Sequence, residues 1–187
     1  MSKTTFKPGN MLYPVPAVMV STLGADGKPN ILTIAWAGTV NSDPPMVSIS
    51  VRKNRHSYKA LTETGEFVVN LTTKELCHAT DFCGVRSGAD VDKFKECNLT
   101  PLPSAKVSAP GIAESPVNIE CKVISQTDLG THTMFVAEVL NVTVDDKYMD
   151  EKGKFDLAKA NPIAYSHGEY YALGEKLGTF GYSVKKK

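Results

Sequence analysis

From Ala17 onward the chain alternates short β-branched, apolar runs with turn chemistry, and nowhere does it settle into regular strand–helix–strand alternation. Ala17 to Thr22 reads as a strand, Asp26-Gly27-Lys28-Pro29 as a turn, and Ile31 to Val40 as the returning strand of a hairpin. Pro44-Pro45 breaks the chain again. Beyond it Val47, Ile49 and Val51 alternate with Ser48 and Ser50, giving one apolar face and one small, hydroxylated face that makes Ser50 a candidate to meet a ligand. In Val117 to Val123 the odd positions are apolar while Asn118, Glu120 and Lys122 form a wet face. Met134 to Val144 is also β, but its apolar phase holds only if Glu138 is tolerated inside or a bulge intervenes. Strands recurring between hairpin turns favour a mainly β, mostly antiparallel barrel over a doubly wound sheet.

Helical segments are short. Tyr58 to Thr64 carries helical spacing, with Asn54 or Ser57 as its cap and Gly65 at the left-handed end. Phe67 to Leu71 returns to strand, Thr72 with Glu75 matches a capping box opening a helix toward Phe82, and that helix must stop around Gly84 to Gly88. Asp90 to Phe94 predicts another short helix, leading into the proline-rich connector Pro101 to Pro116.

With 187 residues the chain is expected to be one domain, 1–187, able to bury about 70% of its unfolded surface in a core. Lys and Arg total 21 against 20 Asp and Glu, so no global field points to nucleic acid or an anionic membrane. The opening MSKTTFKPGN has no apolar core of signal-peptide length, and the expectation is a soluble, cytoplasmic protein with no membrane partner. Lys185-Lys186-Lys187 reads as a solvated tail.

Any anion site must therefore be local, and the segment Arg52-Lys53-Asn54-Arg55-His56-Ser57 concentrates charges, amide and hydroxyl donors at the start of a short helix. That combination suits a phosphate; a solvated basic loop with an ordinary cap has the same composition. Trp36, the only tryptophan, is flanked by Ala35, Ala37 and Gly38, small enough to let a planar ring approach the backbone, or else it is a core residue. Lys93 suits a phosphate or a ring carbonyl and His132 a ring edge or proton balance, though a surface lysine and a structural histidine read equally simply. No dinucleotide fingerprint, phosphate loop, H-E-x-x-H or G-x-S-x-G occurs, which removes support for nucleotide and serine hydrolysis. Cys77, Cys83 and Cys97 share one stretch with His78, leaving a thiol or metal redox protein as an alternative beside a non-redox binding module; no metal ligand is assigned.

The block PVPAVMVSTLGADGKPNILTIAWAGTVNSDPPMVSISVRKNRHSYKALTETGEFVVNL resembles the flavin reductase-like family. DVDKF, ESPVNIECKV, LGTHTMFVAEV and YYALGEKLGTFGY extend the likeness over nearly the whole chain and fit its flavoredoxin branch. The resemblance implies an FMN-binding split β-barrel, antiparallel and of Greek-key type with short helical insertions. It further implies a homodimer holding FMN noncovalently near the subunit interface, reduced by a redox protein partner or by NAD(P)H. Residue by residue it suggests Asn30, Thr33, Ala35, Trp36, Ala37 and Gly38 around ring and ribityl chain, and Ser50, Arg52, Lys53, Asn54 and Ser57 toward the phosphate. It makes Lys93, His132 and Tyr165 further contacts. The branch often carries threonine at position 57; the serine keeps the hydroxyl.

Overall fold

The computed structural model describes residues 1–184, so the Lys185 to Lys187 tail lies outside the described residues. Strands β1 (Val15–Pro16), β2 (Val18–Leu23), β3 (Pro29–Ile34), β4 (Ala37–Ser42) and β5 (Pro45–Arg52) lead into helix α1 (Ser57–Thr64). Strand β6 (Glu66–Leu71) precedes helices α2 (Cys77–Val85) and α3 (Lys93–Glu96) and the short pair β7 (Pro101–Leu102) and β8 (Gly111–Ile112). Two long strands follow, β9 (Val117–Asp128) and β10 (His132–Val144), and the hairpin β11 (Ile163–Ser166) and β12 (Glu169–Ala172) completes the order.

Seven strands form one antiparallel sheet in the order β3-β2-β6-β9-β10-β5-β4, and β1, β11 and β12 make a smaller one. The β2–β3 hairpin forms where expected: Asp26 accepts from the Lys28 amide at 3.1 Å, and Gly27 supplies φ +74° in the turn. The expected strand Ile31 to Val40 is two strands. It bends at Ala35–Trp36, and its halves lie at opposite edges of the seven-stranded sheet. At that bend the Ser50 amide donates to the Trp36 carbonyl at 2.8 Å, carrying the β4–β5 ladder up to the bend, so the chain itself joins the two edges there and the curled sheet is a split barrel.

Inside the curl, Val18, Val20, Leu32, Ile34, Ile49, Val51, Phe67 and Phe135 pack with Leu61 of α1. A second cluster, Met19, Ile31, Leu76, Ala79, Cys83, Phe94 and Ile112, covers the outer face of β2 and β3 with α2 and α3. Both faces of β2 are thus buried, and α2 and α3 are fixed directly behind the strand that carries Asn30 and Thr33.

Several local expectations change for physical reasons. The face of β9 read as wet is covered at Asn118 and Glu120, 5% and 3% exposed, because the connector folds over it. Glu120 accepts from the Ala105 and Lys106 amides at 3.0 and 2.6 Å, and Asn118 donates to the Ile112 carbonyl at 2.9 Å. In β10 bulges fall at Val136/Ala137 and Val139/Asn141, and the inward side chains are Thr133, Phe135 and Ala137 rather than Met134 and Val136. The Thr72–Glu75 box does not form: α2 starts after Leu76, whose amide donates to Thr73 Oγ1 at 3.3 Å, while Thr72 donates to the Ala17 carbonyl. No side chain caps α1; Asn54 lies upstream of its start, and Ser57 turns inward.

Candidate functional site

The split between the β3 edge and the β4–β5 edge opens a groove of about 540 Å³. Leu32, Thr33 and Ile34 come from β3, Ala35 and Trp36 from the bend, Ser50, Val51 and Arg52 from β5, and His132 from the start of β10. Strand alternation places Ser50 and Arg52 on the groove side. His132 lies directly across the ladder from Arg52, and burial together with the Arg52 charge lowers its pKa, so its imidazole is neutral at pH 7. Tyr165 and Tyr170, which also line the groove, meet edge to face at 5.6 Å, and Tyr13 lies 6.2 Å from Trp36 outside the lining. Tyr170 donates to Asp81 at 3.2 Å, and burial followed by the Asp81 charge raises its phenol pKa.

A smaller pocket of about 90 Å³ opens from this groove, with Leu32, Thr33, Arg55 and Gly84 lining both. Its walls come from three places: Asn30 on β3, Asn54 to Ser57 at the start of α1, and Arg86 to Gly88 together with Lys93 behind them. Ser57 is 1% exposed and its hydroxyl accepts from Asn30 Nδ2 at 2.7 Å, so the two predicted residues hold each other in place. The loop at Gly88 presses so close that a Cβ there would sit 2.1 Å from Asn30 Oδ1 and 2.8 Å from His56 Cδ2. Gly84 packs less tightly on Thr33, 3.2 Å from an added Cβ. At Gly88 the absence of a Cβ is what permits this enclosure.

Charge is distributed one-sidedly here. No carboxylate lines the small pocket. Lys93 is 4% exposed, and its Nζ donates to the Ile31 and Cys83 carbonyls at 2.6 and 2.8 Å. Burial is the main cause lowering its pKa, and the nearby Arg55 charge acts in the same direction. The chain has only three arginines, Arg52, Arg55 and Arg86; each lines one or both of these cavities, and none is ion-paired among the described residues. A buried cation held by neutral carbonyls, with guanidinium groups beside it, leaves an electrostatic demand for an anion.

Of the predicted residues, Thr33, Ala35, Trp36, Ser50, Arg52, His132 and Tyr165 line the groove, and Asn30, Thr33, Asn54, Ser57 and Lys93 the small pocket. Ala37, Gly38 and Lys53 line neither. Ala37 and Gly38 pair with Ile49 and Ser48 in the ladder, and Lys53, beyond the end of β5, turns outward to Asp128 at 2.6 Å. Sequence reasoning missed Arg86, Ser87 and Gly88, although that triplet repeats the basic, hydroxylated chemistry of residues 52–57. It also missed Tyr170. The thiols are divided: Cys83, which lines the small pocket, lies 4.0 Å from Cys97 and is held protonated by burial at a pKa of about 12, and Cys77 is not in that pair. Among the described residues no three His, Cys, Asp or Glu side chains converge as a metal-holding group, and no helix is long and apolar enough to cross a membrane.

Residues 10–174 match the flavin reductase like domain. The fold superposes on the flavoredoxin of Desulfovibrio vulgaris (Miyazaki F) with a TM-score of 0.92 and 35% identity, covering 98% of this chain and 100% of that one. For the flavoredoxin from Methanosarcina acetivorans the TM-score is 0.88 at 27% identity, covering 99% and 100%. A flavin reductase (NADH) of Kitasatospora aureofaciens is 31% identical over 128 residues, 68% of this chain and 64% of that protein.

Proposed function

Because the chain belongs to the flavin reductase-like family, and within it to the flavoredoxin branch, we propose that it is an FMN-binding flavoprotein of electron transfer. The observation that carries this reading is the carboxylate-free pocket around buried Lys93, opening directly from a groove walled by Trp36 and tyrosines. The pocket fits a single phosphate and the groove a planar ring system with a polyol between them. Bound FMN would supply the electron chemistry at its ring.

The chain's own residues do the rest. Lys93, Arg55 and Arg86 neutralise the phosphate, Asn30, Asn54 and Ser57 orient it, and the close packing of Gly84 and Gly88 keeps the cradle narrow. Trp36 walls the apolar part of the ring. Neutral His132 holds or gives a proton at the ring edge, with Arg52 beside it keeping negative charge favourable there. Electrons come from a nicotinamide donor, which the name of the Kitasatospora relative supports, or from a redox protein. We assign the whole chain to one domain and the cytoplasm, and a homodimer covers apolar side chains that one copy leaves in water, among them Leu177 and Phe180.

The test is the visible spectrum of the purified protein before and after FMN addition, followed by anaerobic titration with NADH and NADPH. The expected result is a yellow complex that releases FMN on denaturation and bleaches with a donor. Protein that stays colourless and leaves the spectrum of saturating FMN unperturbed would sink the reading.

A further inference from the structure

The wall of the small pocket that follows α2 is one stretch of chain, 84–96, which supplies Gly84, Arg86, Ser87, Gly88 and Lys93 to the lining. A cysteine stands immediately before it and another immediately after it. Cys83, 1% exposed near the end of α2, and Cys97, half-buried as the cap that ends α3, bring their sulfurs to 4.0 Å although they are 14 positions apart in the chain. A polar link already joins the two ends of the stretch: Lys93 Nζ donates to the Cys83 carbonyl at 2.8 Å, and the Cys97 amide donates to the Lys93 carbonyl at 3.1 Å. That link uses the same ammonium that a phosphate in the pocket calls on. A disulfide between the two sulfurs, at about 2.05 Å, would join the same ends without it.

Resting on the flavin reading above, we propose that Cys83 and Cys97 form a reversible redox clamp on the phosphate cradle, retaining FMN when joined as a disulfide and letting it exchange when reduced. The oxidant is a low-molecular-weight disulfide. Half-buried Cys97 gives its proton to water, and its thiolate attacks one sulfur of that disulfide, whose S–S bond breaks and whose other half leaves as a thiol. Cys83 then loses its proton into the pocket it lines and attacks the Cys97 sulfur, expelling the second small thiol. Two electrons and two protons pass from the pair to the small disulfide, and a small dithiol reverses the step. Burial, the largest cause at both residues, raises their pKa values above 9.0, so thiolate is scarce near neutral pH and the bond forms slowly. The same burial denies the reduced pair stabilisation as thiolate, so the bond persists once made. Closing 84–96 into a covalent loop removes conformations of the empty wall in which Arg86 and Lys93 do not converge, and less ordering is then left for the phosphate to impose.

The experiment treats the full chain with glutathione disulfide at about pH 8.5 or with dithiothreitol, removes the reagent, and scores the bond by intact mass and by a peptide cross-linked between Cys83 and Cys97. FMN release is then followed by the recovery of flavin fluorescence on dilution. The oxidised protein is expected to release FMN about five- to tenfold more slowly than the reduced one. Cys97→Ser, at a residue that lines neither cavity, should release FMN within about twofold of reduced wild type and ignore the oxidant. Cys83→Ala should ignore the oxidant too, and Cys77→Ser should keep the full response. A bond that does not form overturns the proposal, as does one that forms and leaves FMN release unchanged or faster, even where it raises Tm as a plain staple would. Slower release that persists in oxidant-treated Cys97→Ser overturns it as well, by placing the effect elsewhere. Wild type that forms the bond but binds FMN in neither state overturns the flavin reading and the clamp together, whereas a missing bond leaves the flavin reading standing.

Discussion

Lys93 is the residue whose cost and use are most directly coupled. Burying an ammonium among two carbonyls is unfavourable without an anion nearby. Lys93→Met is therefore expected to leave the apoprotein no less heat-stable while weakening FMN by about 10- to 100-fold, the equivalent of one charge-assisted bond of about 1.5–3 kcal/mol. The pH dependence has a definite sign. Its folded-state pKa is depressed below 10.5, so Lys93 loses its proton earlier than an exposed lysine as pH rises. FMN affinity should fall through the alkaline range below pH 10.5, and Lys93→Met should flatten that fall; parallel pH profiles of the two proteins would refute the role. At this scale the contiguous run 52–57 was readable because its chemistry is adjacent in sequence. Arg86 to Gly88 was not, because α2 brings that loop to the small pocket across the fold, while Lys53, just past the end of β5, turns to Asp128 and lines neither cavity.

Among the elements, hairpins and the left-handed Gly65 ending α1 followed from local turn chemistry, which acts within a few residues. What failed was local pattern read without its tertiary neighbour. Alternation in β9 was correct, but the burial of Glu120 depends on a connector that the period of two does not reveal. The same connector is latched by Glu66 at the start of β6, which accepts from the Ser108 amide and hydroxyl at 2.8 and 2.7 Å and pairs with Lys122 at 2.9 Å. The Lys122 bond first, and then Ser108, hold this carboxyl down to a pKa of about 2, against 4.5 unperturbed. A depressed folded-state pKa gives stability that is present above 4.5 and drains as pH falls toward 2. Glu66→Gln should unfold with a shallower loss of stability across that interval than wild type. Urea melts at pH 5 and pH 3 check it, and an unchanged difference between the two proteins would dismiss the latch.

Over the whole molecule, the bend at Ala35–Trp36 sends one stretch of chain to both edges of a sheet, joining them covalently at that point before the groove parts them. A ligand filling groove and cradle touches both edges, the start of α1 and the loop after α2 at once, so it binds the folded chain and has nothing comparable to hold in the unfolded one. At a free concentration of about 100 times Kd, linkage adds about 2.7 kcal/mol of stability. For a chain of this size each kcal/mol raises Tm by about 2–4 °C, so saturating FMN should raise it by about 5–10 °C. Riboflavin, which has the ring and polyol but no phosphate, separates the two cavities in one comparison. With Lys93, Arg55 and Arg86 left facing no anion, it should give less than about half the FMN shift at the same total concentration. Melts followed by circular dichroism read this directly, and equal shifts for the two ligands would remove the phosphate cradle from the account while leaving the ring groove standing.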